Sequence, residues 1–313
     1  MKDNKTYNVF AAVCGRPNVG KSSFINRAVG QKVSIVSDKP QTTRTRIMGI
    51  ADRDNTQIVF IDTPGFHKPR NLLGENMIKD VNAGFADANA AVLIVEADPH
   101  FNTEDDALPK AEQELLKIIA SKKIPCILGI NKIDLLEDKS KLLSVISKYS
   151  KVYDFAAVVP FSARTGDGAE DLVGELLRFS EEGPHYFDED AFTDQPEGRL
   201  VCEMIREKLL RSLDKEIPHG IAVSLERFFE RDNAAGEPVI EADAVIYCEK
   251  QSHKGIIIGK GGSMLKKVGI EARKDIERFF GCKVNLKLWV KVKEDWRNRE
   301  NIIRELGFEA DGK

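Results

Sequence analysis

The sequence predicts an α/β chain of two units, the first a mainly parallel sheet covered by helices on both faces and the second a smaller α+β unit. Three observations carry this. Five apolar runs, NVFAAV, IVFID, AAVLIV, CILGI and AAVVPFSA, alternate with helix-length polar stretches through the first 180 residues. That is the grammar of strands returning through helices to parallel neighbours. Residues 181–200 then carry seven acidic residues against one arginine, with two prolines and two glycines, which reads as a solvated linker. Beyond it, residues 251–293 hold eleven Lys or Arg against three Asp or Glu, a basic face behind an acidic hinge. The expected division is a first domain at residues 1–180, an acidic linker at 181–198, and a second domain at 199–313.

Composition narrows the class. With 313 residues the chain can bury two ordinary cores. Hydrophobic residues at 42% and charged residues at 31% exclude a disordered or fibrous protein. No apolar run reaches the roughly 18 residues of a membrane span, and MKDNKTYNVF offers no apolar signal core, so the expected compartment is the cytoplasm. Cys14, Cys126, Cys202, Cys248 and Cys282 form no CxxC pair and sit mostly in apolar runs; they read as reduced core thiols.

In the second unit, VCEMIREKLLRSL puts Val201, Met204, Ile205 and Leu209 on one helical face. GIAVSLERFF and PVIEADAVIYCE flank the polar turn ERDNAAGE as a hairpin would. A glycine-rich turn, the helix KKVGIEARKDIERFF and the strand VNLKLWVKV follow. The predicted order is helix, two strands, helix, turn, helix, strand.

The motifs supply chemistry. GRPNVGKS at residues 15–22 matches GxxxxGK[ST] and follows the strand-like VFAAVC. Backbone N–H groups of Gly15, Arg16, Pro17, Asn18, Val19 and Gly20, with Ser23 beyond, form a candidate phosphate cradle, proline contributing no N–H. Lys21 can reach the β and γ oxygens and the Ser22 hydroxyl can bind Mg²⁺. In IVFIDTPG, a strand delivers Asp62 toward Mg²⁺ through water, Thr63 and Pro64 follow, and Gly65 can sense the γ-phosphate. INKID places Asn131, Lys132 and Asp134 after another strand. A carboxylate there accepts the paired N–H groups of guanine, which adenine does not offer. In PFSAR, Ser162 and Ala163 can give backbone donors to the guanine carbonyl oxygen.

These four elements in this order resemble the translation-factor-like class of GTPases. In KPQTTRTR, residues 39–46, Thr43 matches that class's switch threonine and is the expected second Mg²⁺ ligand, with Thr42 as the alternative. The catalytic set is Lys21, Thr43 and Gly65, and the metal set Ser22, Thr43 and Asp62. Phe66 stands where Ras-like proteins carry a water-orienting glutamine, so another group must position the water. His67 reads as an exposed loop residue and stays outside the catalytic set. Asn18 resembles the asparagine with which potassium-activated GTPases hold a K⁺ beside the phosphates.

GIIIGKGG lacks P-loop spacing and matches instead the GxxG turn of a K-homology domain, which clamps single-stranded RNA. Its candidate RNA contacts are Ile258, Gly259, Lys260, Gly261 and Gly262, with Lys266 and Lys267 on the next helix. The helix and hairpin before it resemble the type II topology of that fold. In the last strand Val284, Leu286, Leu288, Val290 and Val292 alternate with Asn285, Lys287, Trp289, Lys291 and Lys293, one core face and one cationic face. Trp289 either stacks on a base or covers an adjacent helix.

Together GRPNVGKSSFIN, FIDTPGFHKP, the QTTRTR switch, IREKLL and IIGKGG resemble the Era family of bacterial GTPases over about residues 6–308, with residues 98–116 and the linker less diagnostic. The resemblance implies a P-loop GTPase domain followed by a type II K-homology domain, with GTP or GDP and Mg²⁺ as ligands. It also implies a monomer that binds the 3′ end of small-subunit ribosomal RNA in assembly of the small ribosomal subunit, with peripheral contact to the inner face of the cell membrane. The rival reading makes the second domain a protein- or membrane-docking module of a GTPase acting in division control.

Overall fold

The computed structural model describes residues 5–39, 41–66, 69, 71–97, 107–138 and 140–308. His67 and residues 98–106 lie outside them. In the first domain β1 (Tyr7–Cys14), β3 (Thr56–Asp62), β4 (Ala90–Glu96), β5 (Cys126–Asn131) and β6 (Ala157–Pro160) lie parallel. β2 (Ile47–Arg53) pairs antiparallel with β3, and the order is β2-β3-β1-β4-β5-β6. The sequence reading passed over β2 because RIMGIADR lacks the continuous apolar run of a central strand. On an edge, one face is enough.

Five helices flank this sheet: α1 (Lys21–Val29), α2 (Leu72–Ala86), α3 (Lys110–Lys122), α4 (Ser140–Ser150) and α5 (Ala169–Leu177). Two apolar clusters form, one packing α1 and α5 and the other α2, α3 and α4 on the sheet. Phe24 fixes α1 by meeting Phe60 and Phe161 edge-to-face, with ring centroids 5.6 Å and 5.4 Å apart. Truncating so buried a ring costs about 3–5 kcal/mol and would loosen the helix that begins at Lys21.

The acidic segment departs from its reading as a solvated linker. β7 (Glu181–Glu182) pairs antiparallel with the start of β1. Gln57 then accepts from the backbone N–H groups of Tyr186 and Phe187. Ile50 N donates to Phe192 O at 3.0 Å and Met48 N to Asp194 Oδ1 at 2.9 Å. Edge N–H groups of β2 require acceptors, and this strap supplies them.

The second domain follows the predicted order, with α6 (Glu197–Ser212), β8 (Ala222–Asp232), β9 (Pro238–Cys248), α7 (Gln251–Ile258), α8 (Ser263–Phe280) and β10 (Lys283–Val292). Its sheet runs β10-β9-β8, with β10 parallel and β8 antiparallel to β9. β8 runs to Asp232, so the hairpin turn is shorter than predicted; Asn233 Oδ1 closes it by accepting from Ala235 N and Glu237 N. One core holds α6, α7 and α8 against this sheet. Cys14, Cys126, Cys202 and Cys248 are buried free thiols. Burial pushes the Cys126 and Cys202 thiols up to about 12, which keeps them protonated.

The domains share a third core. Leu73 and Met77 of α2 pack with Ala222, Trp296, Phe308 and residues of α9 (Glu300–Glu305). Beside it Glu207 of α6 gathers charge, 2.5 Å from Lys32 Nζ and 3.0 Å from Lys208 Nζ, while Val36 N donates to it at 3.1 Å. Asp275 of α8 also pairs with Lys32, at 3.1 Å, and with Lys208. Burial alone would raise the Glu207 carboxyl, but Lys32, the Val36 amide and Lys208 outweigh it and hold it below its ordinary value. Asp275 is likewise held down by Lys208 and Lys32 against its burial.

A carboxyl held low in the folded state contributes stability that is present above its unfolded pKa, near about 4, and is lost as pH falls through the folded value. Calorimetric unfolding should therefore show the two domains melting together at neutral pH and separating below about pH 4. Glu207→Gln should flatten that acid dependence, and an identical profile in the variant would contradict it.

Candidate functional site

The P-loop conformation begins with glycine. Gly20 has φ 101° and a Cβ there would lie 2.0 Å from Asn131 Nδ2, so no other residue fits without displacing Asn131. Lys21, buried at the start of α1, donates to the carbonyls of Gly15 at 3.2 Å and Arg16 at 3.0 Å, which curls the loop around its ammonium. Arg16 itself turns away to Glu112 Oε1 at 2.6 Å, and Tyr149 OH donates to the other oxygen at 2.5 Å. The loop is thereby braced on α3 and α4. Val19 is buried in the sheet core.

Asp62, fully buried at the end of β3, gathers hydroxyls from three elements. Ser22 donates to its Oδ2 at 2.8 Å, Ser34 at 2.7 Å and Thr43 at 3.4 Å. Ser22 and Thr43 hydroxyls lie 3.1 Å apart. Among the described residues the buried Asp62 Oδ1 has no hydrogen-bond partner, and a hard cation would satisfy that acceptor. This oxygen-only donor set fits Mg²⁺, held by Ser22 and Thr43 with Asp62 behind, where it would neutralise charge on phosphate oxygens. The Thr42 hydroxyl donates instead to Lys39 O at 2.6 Å, outside the Asp62 cluster.

Burial pushes the Asp62 carboxyl up, against Lys21 and the three hydroxyls, and pushes the Lys21 ammonium down, against Asp62. Gly65 packs on Pro17, where a Cβ would come within 3.0 Å of that ring. Thr63 donates its hydroxyl to Val13 O at 2.9 Å, holding the chain into Pro64.

A cavity of about 540 Å³ joins these groups to the base end. Pro17, Asn18, Gly20, Lys21, Ser22, Ser23, Thr43, Gly65, Asn131, Lys132, Asp134 and Ala163 line it. Gly15, Arg16, Val19, Asp62, Thr63, Pro64 and Ser162 are not among its lining residues. At the base end Asp134 accepts from Ser162 Oγ at 2.5 Å and from Arg164 at 2.9 Å and 2.7 Å. The Ser162 hydrogen bond, and after it Arg164, hold the carboxyl below its ordinary value, so it stays charged and able to accept further N–H groups. Lys132 pairs with Glu96 at 2.9 Å.

Two expectations change. Ser162 N donates to Asp167 O at 2.8 Å and Ala163 N to Asn131 Oδ1 at 2.9 Å, so these donors are engaged inside the loop and a guanine oxygen must compete for them. Asn131, buried, also donates to Val19 O at 2.8 Å. It ties the P-loop to the base loop. Sequence reasoning missed Ser34 and Arg164 as site residues; the arginine of SAR carried the one available signal.

In the second domain three left-handed glycines, Gly259 (φ 74°), Gly261 (φ 58°) and Gly262 (φ 79°), turn the chain from α7 into α8. Lys260, Lys266 and Lys267 are exposed there and Ile258 is half-buried. A groove of about 370 Å³ opens beside the turn, lined by Gly262, Leu265, Lys266, Gly269, Ile270, Arg273, Leu286 and Leu288. An apolar floor with a cationic rim suits bases and phosphates of a single strand. Gly269, Ile270 and Arg273 were not anticipated, because only the fold aligns them with β10. Trp289, half-exposed, sits on the opposite face of β10 from Leu286 and Leu288, beside Val245. It is not among the residues that line this groove.

Asp134→Asn should weaken GTP binding about 100-fold, by about 3 kcal/mol, through loss of charge-assisted bonds to the guanine edge. Xanthosine triphosphate should regain part of that affinity, since its extra carbonyl accepts from an amide. Equilibrium nucleotide titration checks both, and unaltered GTP affinity would contradict the assignment.

Known proteins share this architecture. The family described as 50S ribosome-binding GTPase matches residues 10–132, and the KH domain family matches residues 216–297. The protein named GTPase Era from Ruminiclostridium cellulolyticum is 46% identical over 301 residues, covering 96% of this chain and 97% of that protein. GTPase Era from Clostridioides difficile is 44% identical over 299 residues, covering 96% and 97%. The crystal structure of Era in complex with MgGDPNP and nucleotides 1506-1542 of 16S ribosomal RNA has a TM-score of 0.89 at 34% identity, covering 97% of this chain and 99% of that one. Identity of this extent over nearly the whole length means that the chain belongs to the Era family of GTPases.

Proposed function

We propose that this protein is a GTP-hydrolysing switch that binds single-stranded RNA at the 3′ end of small-subunit ribosomal RNA and assists maturation of the small ribosomal subunit. The observation that carries it is a pair of sites in one chain. A guanine-reading P-loop cavity with an orphaned Asp62 oxygen lies in the first domain, and a GxxG turn beside a cationic, apolar groove lies in the second. The solved relative that contains both a GTP analogue and 16S RNA spans nearly this whole chain.

The geometry supports the following residue roles. Lys21 neutralises the β and γ oxygens, Ser22 and Thr43 hold Mg²⁺ with Asp62 behind them, Gly65 meets the γ-phosphate, and Asp134 selects guanine. Phe66 packs partly against the apolar cluster beneath α2 and gives no side-chain hydrogen bond to a water, so water positioning falls to the backbone, to a K⁺ held beside Asn18, or to the RNA-bound partner. Asn18 lines the cavity, and its amide donates to Asp38 O at 2.5 Å.

The protein works as a monomer in the cytoplasm. Among the described residues no helix is long and apolar enough to cross a membrane. The exposed lysines of α8 are the face that a peripheral contact with an anionic membrane would use.

The test separates the two sites. Lys21→Ala should abolish nucleotide binding. Lys260→Asp combined with Gly261→Asp should weaken binding of single-stranded 16S 3′-end RNA at least tenfold, by reversing charge where phosphates approach, while GTP hydrolysis persists. Unchanged RNA affinity in the double variant would overturn the assignment of the groove.

A further inference from the structure

The residue after Thr43 leaves its own domain. Arg44 is 3% exposed, and its Nη1 donates to Ile221 O at 2.5 Å while its Nη2 donates to His219 O at 3.0 Å and Pro218 O at 3.4 Å. Its guanidinium lies 5.8 Å from the Trp296 ring centroid and 5.7 Å from that of Phe308. All five acceptors and rings belong to the second domain. The residue before Thr43 is anchored there too: Thr42 O accepts from Arg206, which is fully buried in α6 and forked onto Glu203 at 2.9 Å and 2.6 Å. Earlier in the same segment, Arg211 donates to Val36 O at 2.9 Å and Lys39 pairs with Asp214 at 2.7 Å.

Thr43 is thus held on both sides by arginines while its own hydroxyl faces Ser22 and Asp62. Switch segments of this kind are ordered by contacts to the γ-phosphate and its Mg²⁺ and released after hydrolysis. Ordering three residues in advance removes part of the entropy that nucleotide binding would otherwise cost. A guanidinium spread over three carbonyls is a geometry that only arginine supplies.

We infer that the second domain is a working part of the nucleotide site, with Arg44 and Arg206 as positioning residues that hold Thr43 against the metal pocket and so favour the GTP-bound over the GDP-bound state. This rests on the reading of Thr43 as a Mg²⁺ ligand. The two arginines touch neither nucleotide nor metal. They act through the backbone of residues 42–44.

The experiment is equilibrium binding of a non-hydrolysable GTP analogue and of GDP to the full chain at fixed Mg²⁺, in the wild type, Arg44→Met, Arg206→Lys, Thr43→Ala and the Thr43→Ala/Arg44→Met double variant. Arg44→Met keeps the apolar stem against Trp296 and Phe308 and loses the carbonyl bonds. Arg44→Lys, which keeps the charge and loses the fork, replaces it if the methionine chain does not fold. Analogue affinity should fall about tenfold in each arginine variant while GDP affinity stays within about twofold. Thr43→Ala should lower the same ratio, and Arg44→Met should lower it no further in the Thr43→Ala background.

An unaltered ratio in the arginine variants, an equal fall for both nucleotides, or full additivity in the double variant would overturn the inference. A Thr43→Ala chain with the wild-type ratio would instead remove the reading of Thr43 on which it rests.

Discussion

A carboxylate with no access to water has to be answered by other groups, and Asp62 is the one on which this molecule is built. It stands fully buried at the end of β3, and its Oδ2 draws in Ser22 from the P-loop helix, Ser34 from the loop after it and Thr43 from the switch segment. The parallel sheet exists, for function, to place that strand end beside the start of α1. The Phe24, Phe60 and Phe161 contacts keep the helix there. A metal-bound triphosphate would add a cation beside the one Asp62 oxygen that has no partner among the described residues, and anionic oxygens beside the buried Lys21 ammonium.

From Thr43 the constraint passes into the second domain. Its neighbours are bonded to backbone and side chains around α6, β8 and the C-terminal segment. The lysine and carboxylate cluster at Lys32, Glu207, Lys208 and Asp275 seals the same seam. An exposed salt bridge would add little, but Glu207 is buried and loses more if any one partner leaves. α8, which carries Asp275 at one end, begins at the GxxG turn. One helix therefore touches both the domain seam and the groove beside the GxxG turn.

Much of this was legible from local spacing. GRPNVGKS, DTPG, NKID and GIIIGKGG each need particular residues within a few positions, because a phosphate loop, a guanine edge and a tight glycine turn are local geometries. The apolar runs likewise revealed the parallel strands, and the helix and strand order of the second domain matched. What escaped depended on tertiary neighbours. β2 is an edge strand without a continuous apolar run, and the acidic strap bonds to it through backbone groups that no side-chain pattern reports. Ser34 and Arg164 enter the site from loops, and Asn131 turns out to brace two loops because its amide reaches Val19 and Ala163. Arg44 and Arg206 looked like ordinary charges in sequence, and only the packed domains bury them.

The central claim is that nucleotide state and RNA grip are linked within one chain. It is tested most directly by the affinity of the wild-type protein for single-stranded 16S 3′-end RNA, measured at fixed salt with a non-hydrolysable GTP analogue and again with GDP. The account predicts tighter RNA binding with the analogue, by at least about fivefold, and the same factor of tightening for the analogue when RNA is present. Equal RNA affinity in the two nucleotide states would contradict it and leave two independent modules on one chain.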